Sequence, residues 1–153
     1  MKLHNTTDRI EKEIVVRAPR SRVWRALSDS EKFGEWFGMK LDGAFAPGAR
    51  VHGQITFSPH KQVIVDFAIE RVDPESRFSY RWHPYAIEPG VDYSSEPMTL
   101  VEFHLEEVAE GTRIKVVESG FDRIPLARRA EALRMNNAGW DEQLEKLAGY
   151  VAK

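Results

Sequence analysis

Cysteine is absent from the 153 residues, which excludes disulfides, thiol catalysis and cysteine-held zinc or iron–sulfur clusters. No stretch approaches the roughly 20 apolar residues that a membrane span requires. The opening Met1-Lys2-Leu3-His4-Asn5-Thr6-Thr7 has no apolar run fit for a signal peptide. The expected location is therefore cytoplasmic, where the Asn5-Thr6-Thr7 sequon is a chance match. Neither sign of charge is in excess: the formal net charge is −2, with Lys and Arg scattered among Asp and Glu. No basic stripe invites nucleic acid, and no acidic tail is present. Internal repeats, low-complexity tracts and linkers are also lacking. Phosphate loops, nucleophile elbows and the G-x-G-x-x-G fingerprint do not occur. The five histidines, His4, His52, His60, His83 and His104, form no metal motif. Neither a metal nor a cofactor is expected.

What is present reads as one α+β domain spanning 1–153, with its core over 10–151. Ile14-Val15-Val16 is β-branched and flanked by charge, giving a first strand over Ile10 to Arg17. Pro19 opens a short helix through Val23, Trp24, Ala26 and Leu27. Ser28 and Glu31 have capping-box spacing and start a second, carrying Phe33, Trp36 and Phe37 and ending at Gly38. Strands follow at Met39 to Asp42, Arg50 to Phe57 and Gln62 to Val72, then one through Phe78, Tyr80 and Trp82. Two more are marked by Thr99 to Leu105 and Thr112 to Glu118. In Arg50–Phe57, Val51, Ile55 and Phe57 alternate with His52, Gln54 and Thr56. Between strands, His83 to Pro97 is long for a compact domain and holds Tyr85 and Tyr93, the form of a functional lid.

The last stretch, Pro125 to Val151, reads as one long helix. Pro125 suits the first helical position. Leu126, Ala130, Leu133, Trp140, Leu144, Leu147 and Val151 step by threes and fours along one face. Asn137 falls in that stripe, with Asn136 beside it. Such a helix is about 40 Å long, and a broad antiparallel sheet must wrap it.

Several residues could carry chemistry. If Ile114 and Val116 face the helix, Glu118 points inward too. A bare buried carboxylate costs several kcal/mol, so it needs a partner or a wet cavity; Asn137 on the stripe could supply one, with Asn136 beside it, and the alternative is a Glu118 solvated at the strand's open end. His52 and His104 could face one interior, while His83 stands at the start of the lid loop. Trp36 and Phe37 are adjacent, so one of them is expected to line an opening beside the Gly43–Gly48 loop. Together these features suggest an apolar pocket with a few polar groups. Its expected lining is Trp36, Phe37, His52, Tyr80, Trp82, His83, Phe103, Glu118, Phe121, Leu133, Asn137 and Trp140. No catalytic residue is assigned.

The segments Ile14-Val15-Val16-Arg17-Ala18-Pro19 and Val23-Trp24-Arg25-Ala26-Leu27 resemble the START-like (SRPBCC) helix-grip superfamily. Trp36-Phe37-Gly38, Glu118-Ser119-Gly120-Phe121 and Asn137-Ala138-Gly139-Trp140, with Leu144 and Leu147, resemble its branch named for the activator of heat-shock protein 90 ATPase. The resemblance runs from Ile10 to Val151. It implies a curved, mostly antiparallel sheet of about seven strands gripping the C-terminal helix, two short helices after strand 1, and a cavity between helix and sheet. Superfamily members commonly bind lipids, sterols, flavonoids and polyketides.

Three functions follow, in order. The first is a carrier or sensor that binds a small lipophilic molecule, with Leu133→Trp expected to fill the pocket. Another is a cyclase- or dehydratase-like enzyme using Glu118 as acid/base. The third is a stress-related co-chaperone-like interaction protein. The name-giving activators carry a further N-terminal domain with no counterpart in this sequence, which places a chaperone partner last.

Overall fold

The computed structural model describes residues 8–57, 60, 61 and 63–152. Met1–Thr7 and Gln62, named above, lie outside them. Strand β1 (Arg9–Val16) is followed by helices α1 (Arg20–Ser28) and α2 (Ser30–Phe37). Strands β2 (Met39–Leu41), β3 (Arg50–Ile55), β4 (Ile64–Asp73), β5 (Arg77–Trp82), β6 (Thr99–Val108) and β7 (Gly111–Ser119) come next. A 3₁₀ turn over Phe121–Arg123 leads into helix α3 (Leu126–Val151). The strands form one seven-stranded sheet in the order β1-β7-β6-β5-β4-β3-β2, antiparallel throughout. A register shift between Ile69 and Arg71 bends β4, as an extra residue in one strand does. This is the α+β helix-grip arrangement.

Local chemistry accounts for the short helices, with one change from the capping expected. Asp29, not Ser28, caps α2: its carboxylate accepts from the backbone N–H groups of Glu31 and Lys32. The Ser28 hydroxyl instead donates back to Trp24 O. A carboxylate at that position also suits the positive end of the helix dipole. Gly38 ends α2 with φ 97°, a left-handed conformation that glycine adopts without a Cβ clash. The Phe57 ring lies over it. Phe57 is thus not the inward end of β3 but a half-exposed residue after it, with Lys146 over its ring.

Phe33 sits at the centre of the core. Its ring meets those of Trp36, Phe37, Phe45, Phe67, Phe78 and Tyr80 at centroid distances from 4.8 to 6.2 Å, separations at which aromatic pairs attract. Phe45 comes from the Gly43–Gly48 loop, so that loop plugs the core rather than framing an opening. The space between sheet and helix is therefore filled with rings through most of its length.

Helix α3 faces the sheet with the stripe its spacing suggests from Trp140 to Val151, and with a different one in its N-terminal half. Ala132, Trp140, Leu144, Leu147 and Val151 are buried and Asn136 is half-buried. Leu126 is 78% exposed, Ala130 and Asn137 are exposed, and Leu133 is only half-buried. From Trp140, a step back of three residues turns the helix about 60° one way, and a step of four about 40° the other. Both Asn136 and Asn137 fit a stripe through Trp140, and tertiary packing selects Asn136. The outward residues Leu126, Leu133 and Asn137 border a groove at the sheet edge with Arg9 and Ile10.

Candidate functional site

The loop joining β5 to β6 covers a pocket of about 470 Å³ at one end of the grip. Its floor is apolar: Phe37 from the end of α2, Met39, Ile55, Val63 and Val65 from neighbouring strand ends, and Trp82. The loop supplies the opposite wall with Tyr85, Ile87, Val91 and Tyr93. His83 and Asn136 are polar groups on the lining. Ile64 and Val91 are 57% and 52% exposed at the pocket.

Behind this wall lies Glu118, entirely buried. Strand alternation along β7 sends it inward with Ile114 and Val116. Oε2 accepts from Trp82 Nε1 at 2.8 Å and from Thr99 Oγ at 2.6 Å. Oε1 accepts from Trp140 Nε1 at 2.8 Å. The Asn136 amide nitrogen lies 3.1 and 3.2 Å from the two oxygens. Among the described residues no cation takes part. Burial pushes the Glu118 carboxyl above its usual range, opposed by the hydrogen bonds of Thr99, Trp82, Trp140 and Asn136. Two of these donors are indoles, which can only donate, so the arrangement complements a carboxylate. The neighbouring Tyr80 phenol is pushed well up, first by burial and then by the Glu118 charge; its hydroxyl has no hydrogen-bond partner among the described residues.

The four donors tie three elements together. Trp82 closes β5 and Thr99 opens β6, and the two are paired across the sheet, so Glu118 holds both feet of the loop. Asn136 and Trp140 bring in α3. Two of the tied residues, Trp82 and Asn136, are pocket walls. Both Glu118 oxygens are thus occupied, in part by two residues of the pocket wall.

A second tether holds the loop itself. Arg128 of α3 donates to the Glu96 carboxylate through Nε at 3.0 Å and Nη2 at 2.6 Å. Its Nη1 donates to Pro84 O at 2.8 Å, and its guanidinium stacks 4.8 Å from the Tyr93 ring centroid. His83 Nε2 lies 3.1 Å from Glu96 O. Tyr85 holds φ 52°, unusual for a residue with a bulky side chain. Paired through two nitrogens and mostly shielded, Arg128 and Glu96 form the kind of ion pair that keeps its strength. Arg128→Met is expected to speed amide hydrogen exchange across 83–97 by about tenfold or more, at a cost of about 1–2 kcal/mol in global stability. Exchange unchanged in that segment would show that Arg128 does not hold the loop.

Of the residues expected at the site, Phe37, Trp82 and His83 line the pocket. Glu118 and Trp140 stand directly behind it. Tyr80, Phe103 and Phe121 are fully buried and not on the lining; Phe103 packs edge-on against Trp140. Trp36 is buried elsewhere, its indole donating to Ala26 O between the two short helices. His52 faces outward against Asp42, because alternation in β3 gives the interior to Val51, Gly53 and Ile55. His104 lies on β6 between inward-facing Phe103 and Leu105, and desolvation lowers its pKa. Leu133 and Asn137 belong to the groove at β1, on another side of α3. Of the two neighbouring amides that could meet Glu118, Asn136 does so and Asn137, exposed, does not. Arg128, Glu96 and Thr99 carried no site signal in the sequence, since each gains that meaning only from a fold that joins residues 19 to 44 positions apart.

Among the described residues, no helix is long and apolar enough to cross a membrane, and no group of His, Cys, Asp and Glu could hold a metal ion. The pattern of the family described as Activator of Hsp90 ATPase homolog 1-like protein matches residues 17–152. A crystal structure of a Mesorhizobium loti protein is similar at 28% identity and TM-score 0.73, covering 93% of this chain and 95% of that one. A putative protein in the dynemicin biosynthetic locus is 27% identical with TM-score 0.71, over 94% of this chain and 46% of the other. The Aha1 dimer from Colwellia psychrerythraea, 17% identical with TM-score 0.71 over 94% and 96%, shares the fold. No curated protein gives a match.

Proposed function

The chain belongs to the Activator of Hsp90 ATPase homolog 1-like family, and from that footing we propose that it binds a small lipophilic molecule in the pocket beneath the 83–94 loop. The observation that carries this reading is a concave site with an apolar floor, an apolar lid face and only a few polar groups, the usual makeup of small-molecule sites. Its volume of about 470 Å³ lies within the range of such sites, roughly 300–1,000 Å³. Glu118 supports the reading as the group that fixes Trp82 and Asn136. A relative encoded in a biosynthetic locus agrees with a partner that is a natural small molecule. An acid/base role for Glu118 finds less support, because four donors already occupy its oxygens and it has no direct face on the pocket.

The test is a titration with uncharged aromatic lipophiles, read by tryptophan emission and by melting temperature. Trp82 lines the pocket, so saturable quenching is expected. The melting temperature rises with ligand concentration as binding to the folded form alone requires. If neither signal moves across a broad set of lipophiles, the proposal fails.

A further inference from the structure

The polar groups on the pocket lining are strongly one-sided. A carboxylate can only accept, so the nitrogen of the Asn136 amide is the end turned to Glu118. Its Oδ1 is left as an acceptor on a residue that lines the pocket. The same logic fixes His83. The Glu96 carbonyl oxygen 3.1 Å away can only accept, so Nε2 carries the hydrogen and, in the neutral ring, Nδ1 is an acceptor. Nδ1 has no partner among the described residues. Three carboxylates border the cavity: Asp66, Glu88 and Asp92. Asp66 is neutralised by Arg50. Glu88 and Asp92 have no ion-pair partner among the described residues and lie on the loop rim. No Lys or Arg lines the cavity among those residues; the Arg50 guanidinium is committed to Asp66 and that of Arg128 to Glu96. Asp92 accepts from Ser94 N–H at 2.9 Å, and the Ser94 hydroxyl and His83 also interact with its carboxylate; the Tyr85 hydroxyl can donate or accept, and so does not discriminate.

Resting on the lipophile-binding reading above, we propose that this pocket selects lipophiles bearing a hydrogen-bond donor, amine cations foremost, and rejects carboxylates. A ligand hydroxyl or ammonium can satisfy Asn136 Oδ1 and His83 Nδ1 where bulk water is displaced. A ligand carboxylate would bring acceptors against acceptors and negative charge toward Glu88 and Asp92. An unmatched buried acceptor is more costly than a matched one is favourable, so the discrimination against carboxylates is the sharper half of the proposal.

Four probes with one apolar body separate the terms: 2-naphthylmethylamine, 2-naphthylmethanol, its methyl ether, and 2-naphthoate. They are titrated into the full chain at pH 8 and low ionic strength. The alcohol is expected to bind about tenfold more tightly than the ether or the naphthoate, and the amine at least as tightly as the alcohol. His83→Phe should narrow the alcohol-over-ether ratio several-fold. The exposed double change Glu88→Gln with Asp92→Asn should narrow only the amine-over-alcohol ratio, as should added salt. Naphthoate binding as tightly as the alcohol, or ether and alcohol binding alike, overturns this inference and leaves the lipophile pocket standing. Saturable binding by none of the four overturns the pocket reading and this inference together.

Discussion

Glu118→Gln is expected to lower the free energy of unfolding by about 3 kcal/mol. The substitution conserves shape but replaces one acceptor oxygen with an amide that must donate. Around Glu118 every partner is a donor: Trp82, Thr99, Trp140 and Asn136. The glutamine nitrogen therefore faces at least one indole N–H that cannot turn into an acceptor, in a site with no exposure to water. Thr99 can rotate its hydroxyl, which sets a limit on the loss. Denaturant unfolding of both forms measures it, and a difference below about 0.5 kcal/mol would contradict the account of a saturated carboxylate.

The same pair has a pH signature. Burial raises the folded-state pKa of Glu118 above the ordinary value of 4.5. In the window from 4.5 up to that raised value, the folded form holds more protons than the unfolded one. Stability contributed by this group is therefore fully present below 4.5 and is lost as pH rises through the folded-state pKa. The wild-type advantage over Glu118→Gln should shrink across that window and level off above it.

Val65→Trp is expected to weaken lipophile binding at least about 100-fold, while Leu133→Trp changes it less than about twofold. Val65 is half-buried on β4, opposite Gly53 of β3, and lines the pocket. An indole there occupies the volume a ligand needs, and the open side of the pocket lets it fit at an overpacking cost of about 1–3 kcal/mol. Leu133 borders the groove at β1 instead, so the filling effect its place in the helix stripe suggests does not reach this pocket. Equal loss in both variants would mean that the ligand lies along α3 rather than under the loop.

Much of the fold could be read from the chain because strands and helices impose periods that burial makes visible. Val51 and Ile55, Ile114 and Val116, and the β-branched start at Ile14 all alternate as their strands do. The inward turn of Glu118 follows from the same alternation. What period cannot supply is partner identity. Asn136 and Asn137 both fit a stripe through Trp140, and only the position of Glu118 across the gap separates them. Capping by Asp29 rather than Ser28 is a choice between adjacent residues of equal aptitude. That the 83–97 loop walls an opening beside Phe37 could be read from its length and its tyrosines; that the interior behind it is closed could not, because Phe45, from a loop with no regular pattern, fills the space around Phe33. The Arg128–Glu96 tether joins a helix to an irregular loop, where neither period applies.

Chemical-shift mapping during titration with 2-naphthylmethanol tests the central claim most directly. The account predicts saturable shifts confined to Phe37, Val65, Trp82, His83, Ile87 and Asn136, with Arg9, Leu133 and Asn137 unmoved. Shifts centred on Arg9 and Leu133, or none at saturating probe, would contradict it.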